Sequence, residues 1–286
     1  MCGIVGLFEP ILGKTADTQT LTKMRDRMIH RGPDGGGVWY SENKSCGLGH
    51  RRLSILDLST SADQPMINSQ GTVALVFNGE IYNHQELRSE LNATGKYIWV
   101  TDHSDTEVLL NAYQEWGLGC LEKLNGMFAF AIYDARVPNQ CVLHLARDRV
   151  GKKPLYLSKT QNGEWIFASE IRALMAHPEV SPELDRTALW HYLTFIVAPA
   201  PLTMFKGIFK IPAGWVVSID HKSNATAFEY WDCLPSHDSI ASFGNLSEEQ
   251  ATKSLTKILQ TSIKRRMVSD VPFGVMLSGG VDSSLN

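Results

Sequence analysis

The chain opens Met1-Cys2-Gly3-Ile4-Val5-Gly6, and a cysteine in second position becomes the terminal residue once the initiator methionine is removed. One residue then carries both a nucleophile and a base. A free α-amino group titrates near about pH 7.7–8.0, far below a lysine, so it can take the proton of its own thiol near neutrality, directly or through one water. Residues 3–8 read as an apolar strand, so Cys2 is equally legible as a small buried residue at a strand's start. Either way, the fold must accommodate a strand that begins at the first residues of the chain.

Length and composition narrow the setting. The 286 residues allow one large or two ordinary domains, and 43% apolar residues are enough for real cores. With 27 basic against 30 acidic residues and a net charge of -3, nothing recommends a nucleic acid or an anionic membrane as partner, and small polar substrates fit better. The apolar run near the start is too short to span a bilayer, and Glu9 without a preceding basic cluster argues against a secretory signal, so a cytoplasmic location is expected. Five cysteines, at positions 2, 46, 120, 141 and 233, are scattered without a C-x-x-C pair, which excludes a disulfide framework and a structural zinc site.

Short strands and amphipathic helices alternate over the first two thirds. Leu21, Met24 and Met28 recur at helical spacing behind a cap at Asp17, extended runs follow near 36–40, 52–55 and 72–77, and helices are predicted near 85–93 and 105–116. Strands over 126–134 and 140–146 are joined at Pro138-Asn139, and 153–158 and 164–168 continue the pattern. Clustered strands between paired helices predict sheets packed together with helices outside. After residue 210 the character changes. Residues 236–245 read as a polar linker, Ser247 and Gln250 form a capping box, and Leu255, Ile258, Leu259 and Ile263 stripe the helix that follows.

Two places bear on the thiol. Asn78-Gly79, after an apolar run, sets an amide side chain beside a flexible backbone N–H, the pair of donors a tetrahedral oxyanion needs; a type I′ turn is the ordinary alternative. Arg52 suits a carboxylate and Asp105 an ammonium group, as an amino-acid ligand would require. Equally, Arg52 reads as a solvated strand residue and Ser104–Glu107 as a capping box.

Taken in order, Cys2–Gly6, His30–Asp34, Arg52–Asp57, Asn78–Asn83, Ser104–Glu107, Gly126–Phe130, Arg147–Tyr156, Ala168–Glu170 and Pro199–Pro201 resemble the class II glutamine amidotransferases of the N-terminal nucleophile hydrolases. Within them, the chain is similar to the glutamine-hydrolysing asparagine synthases. The resemblance implies an α+β fold, a four-layer αββα sandwich, followed by the first elements of an α/β ATP-pyrophosphatase domain. It implies domains at 2–210 (glutaminase) and 247–286 (start of the ATP-binding domain), with 211–246 connecting. Cys2 would be the nucleophile, with Asn78 and the Gly79 N–H as oxyanion hole. Arg52 and the backbone of Leu53, Ser54, Ile55 and Leu56 would hold the glutamine carboxylate, and Glu80 and Asp105 its amine. His30–Asp34 reads as a loop closing over glutamine or as a surface turn.

Near the end, Phe273–Leu277 reads as a buried strand followed by Ser278-Gly279-Gly280-Val281-Asp282-Ser283-Ser284, a phosphate loop that is neither the Walker nor the dinucleotide pattern. By the same resemblance, Ser278, Gly279, Gly280, Asp282 and Ser283 would cradle pyrophosphate, Leu277 would lie near adenosine and Asp282 would help hold magnesium. ATP and Mg2+ would serve the whole synthase, and glutamine hydrolysis would need neither. Glutamine, aspartate and ATP are the implied substrates, and a homodimer is compatible. Because synthase domains of that family continue well past this loop, the chain is expected to be a fragment that retains glutamine hydrolysis, with exposed apolar surface along 247–277 favouring poor order or aggregation. Another class II amidotransferase and a non-catalytic product remain as alternatives.

Overall fold

The first strand, β1 (Gly3–Phe8), is buried along its whole length because it is covered on both faces. Val5 and Leu7 pack with Leu21, Met24 and Met28 of the helical segment that follows, while Ile4 and Phe8 point the other way, into a core shared with a second sheet. The structure, a computed structural model, describes residues 1–11, 14–235, 240 and 244–285. In the first sheet β1 lies between β3 (Cys46–Arg52) and β9 (Trp165–Ala168); beyond them are β2 (Gly35–Tyr40) on one side and β8 (Tyr156–Lys159) and β10 (Ile208–Lys210) on the other. The second sheet runs β12 (Ala225–Glu229), β11 (Trp215–Asp220), β7 (Val142–Arg147), β6 (Gly126–Asp134), β5 (Val73–Ile81) and β4 (Met66–Ile67). Its ladders, like those of the first, are antiparallel.

Helices cover the outer faces. On the first sheet lie α1 (Thr18–Asp26) and α5 (Ile171–Leu174); on the second lie α2 (His84–Ala93), α3 (Asp105–Trp116) and α4 (Cys120–Lys123); α6 (Arg186–Phe195) follows α5 in the chain. Asp17 caps α1 as expected, its Oδ2 accepting from Thr20 N at 2.7 Å. The alternation within β6 makes the layering explicit: Phe128, Phe130 and Ile132 meet the helices, while Ala129, Ala131 and Tyr133 face the first sheet. In β5, Leu75 and Phe77 face outward and Ala74 and Val76 inward. The expected αββα sandwich is thus the architecture, with Ala74, Val76, Ala129 and Ala131 of β5 and β6 meeting Ile4, Phe8 and Phe167 of the first sheet. The Pro138-Asn139 link turns as expected, with Asn139 at φ 61°.

Several local expectations change. The extended run expected at 52–55 ends at Arg52, and 53–56 form a loop that reaches Asp57 at φ 52°. Asn78-Gly79 is not a turn: both residues continue β5, paired opposite Ala129 and Phe128, because the β6 ladder runs past them to Ile81. The boundary expected at 210 moves, since β11 and β12 lie within 211–246 and complete the second sheet. Of the expected linker 236–245, residues 236–239 and 241–243 lie outside the described residues. The capping box at Ser247 and Gln250 opens α7 (Glu248–Arg266), whose Leu255, Ile258 and Leu259 are exposed. Phe273–Leu277 forms no strand; among the described residues none lies beside it to pair. No helix among the described residues is long and apolar enough to cross a membrane.

Close sheet packing makes Gly6 a sensitive position. A Cβ there would lie 2.3 Å from Phe167 Cε1 and 2.9 Å from Gly47 O, both in the buried interior. Gly6→Ala is expected to lower folding stability by about 1–3 kcal/mol in denaturant titration, because the Phe167 ring has no free volume to enter.

Candidate active site

Three inward-facing rows turn polar at one end of the sandwich. On β1 the row Ile4, Gly6, Phe8 is preceded by Cys2; on β3 the row Cys46, Leu48, His50 ends at Arg52; on β5 the row Ala74, Val76 continues to Asn78 and Glu80. Gly3 pairs with Arg51, so the ladder brings Cys2 beside Arg52. Cys2, Arg52, Asn78, Gly79 and Glu80 line a cavity of ≈ 70 Å³ together with Leu53, Ile55, Leu56, Asp105 and Lys153. Apolar rows that dictate the sandwich therefore also gather its polar ends.

Cys2 is held on both sides. Its Sγ accepts from Leu53 N at 3.4 Å and faces Leu53 O at 3.7 Å, while Arg31 Nε donates to Cys2 O at 2.8 Å. Burial pushes the thiol above its ordinary value, with the Leu53 contact opposing. The amino group of Met1 also lines this cavity through its residue, and burial lowers its pKa. While Met1 is present, the Cys2 nitrogen is an amide and has no basic lone pair. The segment preceding β2 is strapped across this corner: Arg31 Nη1 reaches Glu170 at 3.1 Å, Asp34 N donates to Arg52 O at 3.0 Å, and Asp34 Oδ2 accepts from Ser54 N at 2.8 Å. His30–Asp34 is a turn bonded at both ends.

The geometry of β5 aims donors at the cavity. Phe77 N donates to Gln64 Oε1 at 2.6 Å and Ile81 N to Asp105 Oδ2 at 3.0 Å, so the amides of residues 77 and 81 point away from β6. Period-two alternation gives Gly79 N–H the same direction. Phe128, opposite Gly79, turns its own N–H and C=O to Asp148, which confirms that this pair exchanges no bonds. Gly79 cannot carry a side chain here, since a Cβ would lie 2.3 Å from Met127 O. Beside it, Asn78 is 1% exposed, and neither its Oδ1 nor its Nδ2 has a partner. A buried amide unsatisfied at both atoms is costly in an empty site and becomes favourable when a ligand fills it.

The charged groups flank the donors. Arg52 donates from Nη1 to Ser59 O at 2.8 Å and Asp63 Oδ1 at 2.6 Å, and from Nη2 to Asp57 O; these bonds use three of its five hydrogens. Asp105 is not held in a capping box: Ser104 makes no side-chain cap, and Glu107 instead accepts from Val100 N and Thr101 N. The Asp105 carboxyl is free to face the cavity, and burial raises its pKa to about 6, against the Ile81 N–H contact. Glu80 is also raised by burial, with Lys153 opposing. Ser54 does not line the cavity; its N–H is taken by Asp34.

Sequence reading missed two contributors. Gln64 bridges Phe77 N and Thr106 Oγ1, and no spacing relates it to either. Lys153, in the Arg147–Tyr156 segment, is buried at the cavity wall; burial lowers its pKa, and Glu80 and then Cys2 oppose that.

The phosphate-loop candidates lie apart from this cavity. Gly279 adopts φ 79° and α8 (Val281–Leu285) begins at Val281, but Ser278 N donates to Ser283 Oγ at 3.2 Å and Gly280 N to Ser278 Oγ at 3.4 Å. The loop's amides thus bond its own serines, Leu277 and Asp282 are exposed, and no group of three or more His, Cys, Asp or Glu gathers among the described residues. These residues do not assemble a nucleotide or magnesium pocket by themselves.

A cysteine at the second position, beside a buried unpartnered amide at one end of an αββα sandwich, is the geometry that comparison with known proteins places in a family. Residues 1–231 match the glutamine amidotransferase domain family, and the chain belongs to it. Residues 254–285 match the asparagine synthase family. The chain is similar to glutamine-hydrolyzing asparagine synthetase 1 of Bacillus subtilis (strain 168), 40% identical across 99% of this chain and 43% of that protein. It is also similar to synthetase 3 of the same strain, 35% identical across 99% of this chain and 44% of that protein. The chain thus spans less than half the length of these relatives. A solved glutamine phosphoribosylpyrophosphate amidotransferase from B. subtilis superposes with TM-score 0.58 at 18% identity, over 80% of this chain and 49% of that one, and shares the fold.

The raised thiol pKa has a direct consequence. With Met1 retained, Cys2 carries less thiolate near neutral pH than an ordinary cysteine, so iodoacetamide should modify it slowly and faster as pH rises. Removing Met1 should accelerate that modification at neutral pH. Timed mass spectrometry of the Cys2 peptide, with the exposed Cys233 as internal reference, checks both.

Proposed function

We propose that this chain hydrolyses glutamine to glutamate and ammonia at Cys2 once Met1 is removed. The observation that carries the reading is the buried, unpartnered Asn78 amide beside the Gly79 N–H in the cavity that Cys2 lines. The freed α-amine takes the thiol proton, and the sulfur attacks the side-chain amide carbon of glutamine. The oxyanion that forms accepts from Asn78 Nδ2 and Gly79 N–H, donors already in position and screened from water. Collapse breaks the C–N bond, the protonated amine returns its proton to the leaving nitrogen, and ammonia departs. Water then opens the γ-glutamyl thioester, restoring the thiol and releasing glutamate. The remaining hydrogens of Arg52, with the backbone of Leu53, Ile55 and Leu56, take the substrate carboxylate; Asp105 and Glu80 take its ammonium.

The acceptor reading goes further. In a version as long as the relatives named above, the ammonia would be passed to aspartate activated by ATP, giving asparagine, glutamate, AMP and pyrophosphate. Its support is the asparagine synthase match at 254–285 and the relatives named above. The Ser278–Ser283 loop would belong to that second reaction, with Asp282 toward magnesium. A cytoplasmic location fits five cysteines that are all free. Adding aspartate and MgATP to a version as long as those relatives, and measuring asparagine, tests this half.

Glutamine hydrolysis by the processed chain should be abolished in Cys2→Ala. Asn78→Ala should lower kcat about 100-fold or more, while changing folding stability by no more than about 1 kcal/mol, because the amide it removes has no partner to lose. A stable Asn78→Ala variant of undiminished activity would refute the oxyanion assignment.

The Asp105 pKa sets a second test. Its carboxyl is raised to about 6, so it is charged at neutral pH and loses that charge as pH falls through this value. The KM for glutamine should therefore climb between neutral pH and pH of about 5, and Asp105→Asn should start with a high KM that no longer responds.

A further inference from the structure

Beyond the sandwich, the end of α7 and the stretch after it return to the wall of the proposed glutamine cavity. Arg265 Nη2 donates to Glu86 Oε1 at 3.0 Å, and the Arg266 guanidinium sits 4.5 Å over the Tyr82 ring. Val268 shares a thin seam with Ile55, Leu56, Glu80 and Asp105. Asp270 then makes three contacts at once. Its N–H donates to Ile55 O at 3.0 Å, its Oδ2 accepts from Asp57 N at 2.6 Å, and the same oxygen meets His103 Nε2 at 2.6 Å.

These contacts bracket the binding residues. Asp57 holds a left-handed backbone, φ 52°, which a non-glycine residue adopts only where its surroundings fix it. They do fix it: Asp270 takes its N–H, the Arg52 guanidinium takes its carbonyl, and Ser59 N and Oγ donate to its carboxylate. Two bonds thus lead from Asp270 to Arg52. On the other side, His103 is two residues before Asp105. One carboxylate braces the wall that would receive the substrate carboxylate and the segment that would receive its amine.

We propose that Asp270 is a positioning residue for the glutamine pocket, setting the Ile55–Asp57 backbone and Arg52 through Asp57 and the Asp105 segment through His103. The inference rests on the glutaminase reading given above. His103 is flanked by Asp102 at 3.0 Å from Nδ1 and by Asp270 at Nε2; Asp57 and His84 are the other titratable groups acting on it. Holding a carboxylate at each ring nitrogen requires both N–H protons, so the brace needs the imidazolium. Asp270, then Asp102, raise the His103 pKa against burial, and His103 lowers that of Asp270. The pair is therefore lost as pH rises through the elevated His103 value.

The test compares the 286-residue chain, processed at Met1, with Asp270→Ala and Asp270→Asn. Asp270→Ala should raise KM for glutamine about tenfold with kcat within about twofold, and amide exchange at 55–57 should quicken. Asp270→Asn, whose carboxamide oxygen still accepts from Asp57, should fall between; KM of the unaltered chain should rise toward alkaline pH, and Asp270→Asn should lose that rise. Unchanged KM and unchanged exchange at 55–57 in a folded Asp270→Ala variant would overturn the proposal, as would a fall in kcat at constant KM. Should Asp270→Ala not fold, the Asp270→Asn exchange and pH profile decide the matter. Failure of the unaltered chain to hydrolyse glutamine would refute the glutaminase reading instead, and exchange at 55–57 would still confirm or refute the brace.

Discussion

The start of the chain is immobilised because β1 lies inside the first sheet with neighbours on both edges. Arg51 pairs with Gly3, Ser169 Oγ accepts from Ile4 N at 3.0 Å, and Arg31 holds the Cys2 carbonyl. Terminal residues usually fray for lack of such partners. Here, the covering of both faces of β1 removes that freedom, and the position of every other site residue is defined relative to a fixed thiol.

The second constraint is the polar interior at the end of the sandwich. Apolar burial along β1, β3 and β5 provides the stabilisation, while Arg52, Asn78 and Glu80 at the ends of the same rows sit where burial is unfavourable without partners. His50 shows the cost along the way: buried against Phe77 O, it is driven to a pKa of about 3 and stays neutral. Asn78 goes without any partner, and Asp105 is raised toward neutrality. Such groups are poised for a ligand because the fold, and not the ligand, has already removed their water.

Much of this was legible in the residues. The caps at Asp17 and Ser247, the helices carrying Leu87 and Val108, the alternation in β6 and the grouping of strands all follow from local patterning. The failures share one cause. Asn78-Gly79 has the local chemistry of a tight turn, yet pairing with β6 keeps it extended; Ser104–Glu107 has the letters of a capping box, yet Glu107 finds better donors at residues 100 and 101. Phe273–Leu277 has a strand's composition without an adjacent strand to pair with. In each case, a partner distant in sequence decided the outcome.

The sequence by itself determined the layers: period-two apolar rows specify two-faced strands, period 3.6 stripes specify their covering helices, and the order of motifs identifies the amidotransferase family. Only the tertiary structure decided that Gly79 N–H faces the cavity, that Ser54 does not line it, that Gln64 and Lys153 do, and that Asp270 reaches back to Asp57 and His103. Local periodicity fixes which face of an element is buried, because burial depends on side chains a few residues apart. Which polar groups meet across that interior depends on strand register and loop path, and those are settled by contacts between residues far apart in the chain.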